Sequence, residues 1–325
     1  MNKKNKEKII VTGCAGFIGM HLSISLLEEG YHVFGLDNLN DYYDRNLKIR
    51  RLDLLKANKN FGFEILDISN LHSLEKVFEK HKPDKVVNLA AQAGVRYSLE
   101  NPHTYVESNI SGFMNILECC RYYNIKSLIY ASSSSVYGGN NEIPFSEKHS
   151  VNNPISIYAA SKLSNELMAS SYNKLFDLKS TGLRFFTVYG PWGRPDMAIY
   201  IFTNKILKGE QIRVFNYGKM SRDFTYIDDI VLGIKAAIKK NHNLKIYNLG
   251  NNRSERLLDV VSIIEKRIGK KANIKLEPMQ LGDVENTFAD IDMARRELGF
   301  NPSYNIGEGI EKFIDWYFMY NEISR

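Results

Sequence analysis

Two side chains four positions apart, Tyr158 and Lys162, have the chemistry needed for proton transfer. On a helix this spacing places both on one face. A free tyrosine, with a pKa of about 10, is a poor base at neutral pH, and a cation one turn away favours its phenolate. Because a chain with 19 tyrosines offers such pairs by chance, the alternative is a tyrosine packed beside a solvated lysine. The rest of the chain must decide between them.

A glycine turn near the start of the chain predicts a dinucleotide site. Gly13, Gly16 and Gly19 follow a short apolar run at 9–11 and precede a helical pattern at 20–29. Strand, glycine turn and helix in this order suit a pyrophosphate, which the helix N-terminus attracts. The spacing is G-x-x-G-x-x-G, and the alternative interpretation is a plain tight turn.

Two acids follow the next predicted strands. Asp37 ends the strand predicted at 31–36, where an acid accepts the adenosine ribose hydroxyls. Its charge would repel a 2′-phosphate, so the sequence favours NAD over NADP; the alternative is a helix-capping or turn aspartate. Asp67 ends the strand predicted at 63–67 and is expected to face the adenine.

The rhythm of strands and helices predicts an α/β fold. Buried strand patterns alternate with helical patterns at 9–11, 31–36, 63–67, 85–89, 127–131 and 181–186. This order predicts a doubly wound parallel sheet of the Rossmann type, with a ligand crevice at its carboxyl edge. We expect an NAD-binding domain at 1–188 and a smaller mixed α/β substrate domain at 189–325. Segments near 224–250 are expected to return to the first domain.

Four serines at 132–135 stand at the end of the fifth predicted strand. Hydroxyls at a carboxyl edge lie where open α/β sheets bind ligands, which makes Ser133 and Ser135 candidates for contact with a reacting oxygen. Since serine is also common in turns, a polar loop is the alternative.

Composition excludes several other function classes. The net charge is +6, but no basic run is interleaved with aromatics, so no nucleic-acid partner is expected. The basic start (Lys3, Lys4, Lys6, Lys8) precedes too short an apolar run for a signal peptide, and no stretch is long enough for a membrane span. Three cysteines, two of them adjacent, argue against disulfides and favour a reducing, cytoplasmic setting. Neither cysteines nor histidines show metal-site spacing.

The motifs together resemble the extended short-chain dehydrogenase/reductase superfamily of nucleotide-sugar enzymes, over nearly the whole chain. The match is carried, in order, by the glycine turn, Asp37, the serines before Val136-Tyr137-Gly138, Tyr158-x-x-x-Lys162 and Arg222-Asp223-Phe224. Within that superfamily, the stretches 37–48 and 185–198 resemble the UDP-glucuronate 4-epimerases. The second stretch, with its G-R-P-D-M-A run, is the more specific.

The resemblance implies NAD-dependent 4-epimerisation of UDP-glucuronate to UDP-galacturonate through a transient 4-keto sugar, with NAD retained. Tyr158 would accept the 4-hydroxyl proton, Lys162 would hold the nicotinamide ribose and keep the Tyr158 pKa low, and Ser133 or Ser135 would bond the 4-oxygen. The expected cofactor contacts are Gly13, Gly16, Phe17, Ile18, Gly19, Asp37, Asn38, Asp67, Ile68, Leu89, Ala90, Ala91, Asn109, Tyr158, Lys162 and Phe185.

A uronate carboxylate needs a cation or an array of donors. Arg194 is the first candidate because its fork suits a carboxylate, the alternative being that it caps a helix or pairs with Asp196. Arg96 is the second. By the resemblance, Arg222 would bind the UDP phosphates and Asp283 the ribose.

Two further positions bear on related activities. Thr187 stands where galactose-type epimerases often carry Asn, and serines 134 and 135 stand where 4,6-dehydratases carry Asp-Glu. The alternatives are another UDP-sugar 4-epimerase (acting on UDP-glucose or a UDP-N-acetyl-hexosaminuronate), a UDP-glucuronate decarboxylase, or a non-catalytic nucleotide-binding protein. The resemblance also implies a homodimer, formed through the helix at 110–123 and the helix bearing Tyr158.

Overall fold

The computed structural model describes residues 6–323, which fold into a mixed α/β structure. Lys3 and Lys4 of the basic start lie outside the described residues. Within the described range, no helix has both the length and the apolar character to cross a bilayer. The same range holds no cluster of three or more histidine, cysteine, aspartate or glutamate side chains suited to a metal ion.

The strands of the described range are, in chain order, β1 (Lys8–Thr12), β2 (His32–Asp37), β3 (Phe61–Ile65), β4 (Lys85–Asn88), β5 (Leu128–Ser133), β6 (Ser180–Phe185), β7 (Thr187–Tyr189), β8 (Gln211–Val214), β9 (Ser221–Arg222), β10 (Phe224–Tyr226), β11 (Leu244–Leu249), β12 (Glu255–Arg256) and β13 (Asn273–Leu276).

The α-helices are α1 (Phe17–Glu28), α2 (Arg45–Lys56), α3 (Leu71–His81), α4 (Tyr97–Glu100), α5 (Pro102–Tyr105), α6 (Gly112–Tyr122), α7 (Ile157–Phe176), α8 (Ala198–Lys208), α9 (Ile227–Lys240), α10 (Leu257–Ile268), α11 (Asp292–Leu298) and α12 (Ile306–Tyr320).

A seven-stranded parallel sheet with the order β11-β6-β5-β4-β1-β2-β3 organises the molecule. The chain leaves β1 toward β2 and β3 on one side, then crosses back to β4, β5 and β6 on the other. This reversal opens a crevice at the carboxyl ends of β1 and β4, where doubly wound sheets bind ligands. The predicted doubly wound fold is confirmed.

Side chains of β1 show how the sheet is buried on both faces. Ile9 and Val11 pack into one apolar cluster, which includes side chains of α1 and α9, whereas Ile10 faces a second cluster with side chains of α3 and α6. Alternate residues of a strand point to opposite faces of the sheet. Because both faces of β1 are covered by an apolar cluster, its consecutive residues Ile9, Ile10 and Val11 are all apolar.

The later part of the chain contributes small pairings and further helices. β7 pairs in parallel with β10 and β8 with β13, while β9 and β12 are antiparallel. β11 lies at the edge of the main sheet and pairs with β6, Leu249 opposite Phe185.

Some predicted boundaries were wrong. β3 spans Phe61–Ile65, so Asp67 lies in the turn after the strand. This strand is at the sheet edge and only partly buried, which weakens its apolar pattern. The helix predicted at 110–123 is preceded by a π-helical segment at Val106–Ser111, which follows the unpredicted short helices α4 and α5.

Candidate active site

A cleft of about 420 Å³ runs along the carboxyl edge of the sheet, within the usual size range of ligand pockets. It brings together most of the expected cofactor contacts: Gly13, Gly16, Phe17, Ile18, Gly19, Asp37, Asn38, Asp67, Ile68, Leu89, Ala90, Ala91, Tyr158, Lys162 and Phe185. Of the other candidates, its lining includes Ser133, Ser135, Thr187, Arg194, Arg222 and Asp283.

Two expected residues do not line the cleft. Asn109 is buried behind it, where its side-chain oxygen accepts from the Gln92 backbone at 2.8 Å and its amide donates to the Ser161 hydroxyl at 3.0 Å. Arg96 instead forms an ion pair of 2.8 Å with Asp283 and lies over the ring of Phe215. Asn109 therefore holds the neighbouring backbone, and Arg96 acts on the cleft through Asp283.

The glycine turn has the shape that a pyrophosphate requires. Gly13 has a φ of +70°, and a Cβ there would lie 2.7 Å from the backbone nitrogen of Ala90. Helix α1 begins at Phe17, and its N-cap, Gly16, has no side chain to bond the first free N–H groups. Those groups remain available to an anion at the helix N-terminus. The turn therefore fits the phosphates of a dinucleotide.

Asp37 is fixed by the backbone at the end of β2. Its two carboxylate oxygens accept from the N–H groups of Ala15 at 3.1 Å and Leu39 at 2.9 Å. Burial raises the pKa of this carboxyl, while these bonds and the charge of Lys48 act in the opposite direction. A carboxylate has further lone pairs, which can accept from ribose hydroxyls.

Asp67 and Asn38 form a second polar pair in the lining. The Asn38 amide donates to Asp67 at 2.7 Å, and Ser69 donates to the other Asp67 oxygen through its backbone and its hydroxyl. Burial acts to raise the pKa of Asp67. The hydrogen bonds from Ser69 and Asn38 outweigh burial, so the Asp67 pKa is lowered. This pair adds polar groups to those of Asp37.

Tyr158 and Lys162 both face the cleft from the first turns of α7. Ser156 caps this helix by accepting from the Ala159 N–H at 3.1 Å. The Lys162 ammonium donates to the Ala131 carbonyl at 3.0 Å, and burial lowers its pKa to about 8. Burial also raises the Tyr158 pKa, whereas a hydrogen bond with Ser133 and the charge of Arg194 lower it.

From the sequence we expected Lys162 to lower the Tyr158 pKa. In the structure, Lys162 is not among the groups that lower it. The reason is geometric, because the side chain of Lys162 turns to the end of β5 and is bound there. Ser133 and Arg194 are the groups that favour the phenolate in this structure.

Ser133 is the last residue of β5 and caps a 3₁₀ turn at Ser134–Tyr137. Its hydroxyl accepts from the Ser135 N–H at 3.1 Å and donates to the Ser135 hydroxyl, also at 3.1 Å. The turn therefore holds both candidate hydroxyls beside each other, and Ser133 acts to lower the Tyr158 pKa.

A buried ion pair supports this part of the site. Arg184 of β6 donates to both oxygens of Glu166 of α7, at 2.9 and 2.7 Å. The same arginine donates to the Tyr137 hydroxyl at 3.0 Å, and Tyr137 donates to Asn248 of β11 at 2.7 Å. The network joins the helix that carries Tyr158 to β6, to the 3₁₀ turn that follows β5, and to β11.

Arg194 lines the cleft, but its fork is already engaged. Its Nε donates to one oxygen of Asp196 at 3.0 Å, and a terminal nitrogen donates to the other. Tyr42 also donates to Asp196, at 3.1 Å. Burial disfavours the charge of Arg194, but pairing with Asp196 dominates and raises its pKa. The alternative of an Arg194–Asp196 pair is thus what the structure contains.

Arg222 and Asp283 lie together in the lining. Arg222 donates to the carbonyls of Ser221 and Glu285, at 2.8 and 2.9 Å. Burial lowers its pKa to about 10, with the charge of Arg96 acting in the same direction and that of Asp283 opposing. Two arginines and a carboxylate thus converge near one part of the cleft.

Two buried cations of α2 were missed by the sequence argument. Lys48 lines the cleft and donates to the Asn40 carbonyl at 2.7 Å, and Arg51 lies fully buried nearby. The signal was present, since both share the buried face of α2 with Leu52 and Leu55.

Comparisons with known proteins agree with this geometry. Residues 9–250 match the model of the NAD dependent epimerase/dehydratase family. The chain is 50% identical to Protein CapI of Staphylococcus aureus, over 96% of this chain and 99% of that protein. It is 48% identical to UDP-glucuronate 4-epimerase 4 of Arabidopsis thaliana, over 97% of this chain and 76% of that protein.

A solved structure is similar over the whole fold. The UDP-glucuronic acid 4-epimerase of Bacillus cereus, in complex with UDP-glucuronic acid and NAD, superposes with a TM-score of 0.91 at 36% identity, covering 96% of this chain and 99% of that one.

Proposed function

This chain belongs to the NAD dependent epimerase/dehydratase family, and we propose that it is an NAD-dependent UDP-glucuronate 4-epimerase. It is an isomerase that converts UDP-glucuronate to UDP-galacturonate through a transient 4-keto sugar. The relatives named for this activity, and the similar structure that holds UDP-glucuronic acid and NAD, support the assignment.

One observation in the structure carries the proposal. A single cleft contains the glycine turn, the Tyr158/Lys162 pair, Ser133 and the cationic Arg194. A redox cofactor site, a proton acceptor and a site for an anionic sugar therefore adjoin, as a reaction at a uronate carbon requires.

The residues of the chain divide the work of the reaction. When bound, NAD supplies the hydride acceptor and donor for C4 of the sugar. Tyr158 accepts the proton of the 4-hydroxyl and returns it to the 4-oxygen once the keto sugar has turned its other face to the cofactor. Ser133 hydrogen-bonds the 4-oxygen throughout. Lys162 holds the nicotinamide ribose. The glycine turn binds the pyrophosphate, and Asp37 accepts from the adenosine ribose.

Recognition of the carboxylate falls to Thr187 and Arg194. Asp196 occupies two nitrogens of the Arg194 fork, which fixes the guanidinium in the cleft wall. The remaining terminal nitrogen and the Thr187 hydroxyl are the donors proposed for the uronate. Arg222 is proposed to bind the diphosphate and Asp283 the uridine ribose, with Arg96 orienting Asp283.

The domain division also remains a proposal. We place the NAD-binding domain at 1–188, joined by segments within 224–250, and the UDP-sugar-binding domain at 189–325. The pairing of β11 with β6 supports the return of the later segment.

A second copy of this chain is the proposed protein partner. Helices α6 and α7 pack together, since Tyr172 donates to Glu118 at 2.5 Å. Apolar side chains on these two helices remain exposed, among them Tyr122 at 75%, Leu167 at 62% and Leu175 at 70%. A homodimer through a four-helix contact would cover them.

The three free, buried cysteines support a reducing, cytoplasmic setting.

Proton NMR of UDP-glucuronate with the purified protein and no added cofactor tests the function. We expect UDP-galacturonate to appear, because NAD is regenerated in each turnover and stays bound. Release of carbon dioxide and a UDP-pentose would instead assign a decarboxylase. Conversion of UDP-glucose alone would assign a neutral-hexose epimerase, and no conversion of any sugar would refute the enzymatic assignment.

A further inference from the structure

Arg51 is a fully buried arginine that bonds only to neutral oxygens. Its guanidinium donates to the carbonyl of Ala15 at 3.2 Å and to the Tyr43 hydroxyl at 2.7 Å. It also donates to the carbonyls of Trp192 at 2.5 Å and Gly193 at 3.3 Å. It forms no ion pair with an acid of the described chain, and its Nε has no partner there. Burying a charge in this way is costly, which calls for a reason.

The bonds of Arg51 join two functional loops. Ala15 belongs to the glycine turn proposed for the pyrophosphate. Trp192 and Gly193 immediately precede Arg194, which faces the sugar end of the cleft. One side chain thus ties the cofactor turn to the loop at 190–197, here called the uronate loop.

The uronate loop needs such support because its backbone is strained. Trp192 has a φ of +61°, a left-handed conformation that bulky side chains rarely adopt. The carbonyl of this residue is one of the two loop carbonyls that accept from Arg51. A second anchor lies on α1, where His21 bonds the Pro191 carbonyl at 2.9 Å. Both anchors come from elements that pack around the glycine turn.

We propose that Arg51 is a positioning residue that fixes the uronate loop to the cofactor turn and so determines the affinity for the charged sugar. The proposal rests on the proposed function and deepens it, because it assigns sugar selectivity to a side chain that does not line the cleft. Loss of Arg51 releases the strained backbone at Trp192 and misplaces Arg194. The nucleotide contacts of Arg222 and Asp283 lie on other elements and remain intact.

Arg51→Met tests the proposal, with Arg50→Met as the matched control. Arg50 is the exposed neighbour on the same helix, so both variants lose one positive charge from α2. The measurements are kcat and KM for UDP-glucuronate and the inhibition constants of UDP and UDP-glucose. For Arg51→Met we expect the KM to rise about tenfold, the effect of one lost charged hydrogen bond. The inhibition constants of UDP and of UDP-glucose should each change less than about twofold.

Arg51→Lys is the conservative variant, and it keeps the test available if Arg51→Met does not fold. The lysine ammonium can reach only some of the four oxygens that Arg51 bonds. We therefore expect a KM between those of wild type and Arg51→Met. An unchanged KM for UDP-glucuronate in either Arg51 variant would overturn the proposal. Equal weakening of UDP, UDP-glucose and UDP-glucuronate would also overturn it, since that pattern indicates general damage.

Hydrogen exchange separates this proposal from the proposed function. Amides of the uronate loop should exchange faster in Arg51→Lys than in wild type, and at the wild-type rate in Arg50→Met. This readout needs no turnover, so it applies even if UDP-glucuronate is not the substrate. Unchanged exchange in Arg51→Lys would refute the anchoring of the loop, whatever sugar the enzyme uses.

Discussion

The hydroxyl of Ser132 donates a hydrogen bond of 2.6 Å to the carboxylate of Glu166. Ser132 precedes Ser133 on β5, and Glu166 lies one helical turn after Lys162 on α7. This bond therefore connects the strand end that carries the reactive hydroxyl with the helix that carries the base. Together with Arg184, it sets the position of Tyr158 relative to Ser133.

Glu166→Gln should lower the free energy of unfolding by about 3 kcal/mol, because it leaves the buried Arg184 without a counter-charge. Urea denaturation checks this. The control is Arg295→Gln, which removes an exposed ion pair with Asp292 and should cost less than about 1 kcal/mol. Equal losses in the two variants would refute a special contribution of the buried pair.

Tyr158→Phe should abolish turnover and leave NAD bound. The phenol oxygen is the proton acceptor, whereas the glycine turn and Asp37 bind the cofactor. The measurements are NMR conversion of UDP-glucuronate and the NAD content of the denatured variant. Near-normal turnover would eliminate Tyr158 as the base.

The pH profile of kcat/KM should fall on the alkaline side as Lys162 loses its proton. Burial lowers the pKa of this lysine to about 8, so its charge is present below that pH and lost above it. Lys162→Arg keeps the charge over the whole range, so any residual activity should lack this alkaline limb. An identical limb in the arginine variant would assign the titration to another group.

Arg194→Ala should weaken binding of UDP-glucuronate about tenfold or more, the effect of losing a charge-assisted bond, with a smaller effect on UDP-glucose. The neutral sugar has no carboxylate to lose its partner. Inhibition constants and KM values for the two sugars make the comparison. Equal losses on both would exclude a role for Arg194 in carboxylate binding.

Leu167→Glu combined with Leu175→Glu should convert a homodimer to monomers, because two charges would enter an apolar contact. Sedimentation velocity measures the change. Leu232→Glu on α9 is the control, since this side chain is also exposed, at 57%, but lies outside α6 and α7. A wild-type protein that sediments as a monomer, or a double variant that remains dimeric, would refute this interface.

Local patterns predicted the sheet well. Short apolar runs predicted β1, β2 and β4, because these strands lie inside the sheet and are buried on both faces. Such strands need apolar residues at consecutive positions, which makes them easy to recognise. The edge strand β3 lacks that burial, and its predicted start was two residues late. The π-helical segment before α6 has no distinct pattern in the sequence, so its effect on Asn109 was not foreseen.

Side-chain contacts between distant loops were harder to predict than the helices and strands. The cleft contains Arg194 as expected, but its bond to Asp196 depends on the backbone path of an irregular loop. Likewise, no spacing rule relates Arg96 to Asp283 or Arg51 to Trp192, because these contacts join segments far apart in the chain. Sequence periodicity describes only local geometry.

The pairing of β11 with β6 has a consequence for the order in which the chain is synthesised. The outer neighbour of β6 ends at Leu249, more than sixty residues after β6 itself. A nascent chain that has emerged only as far as Phe185 therefore presents β6 as an open edge, which can pair with other chains. The sheet is completed only after α8 and α9 have emerged, so early chaperone protection of this edge should matter for the yield of folded protein.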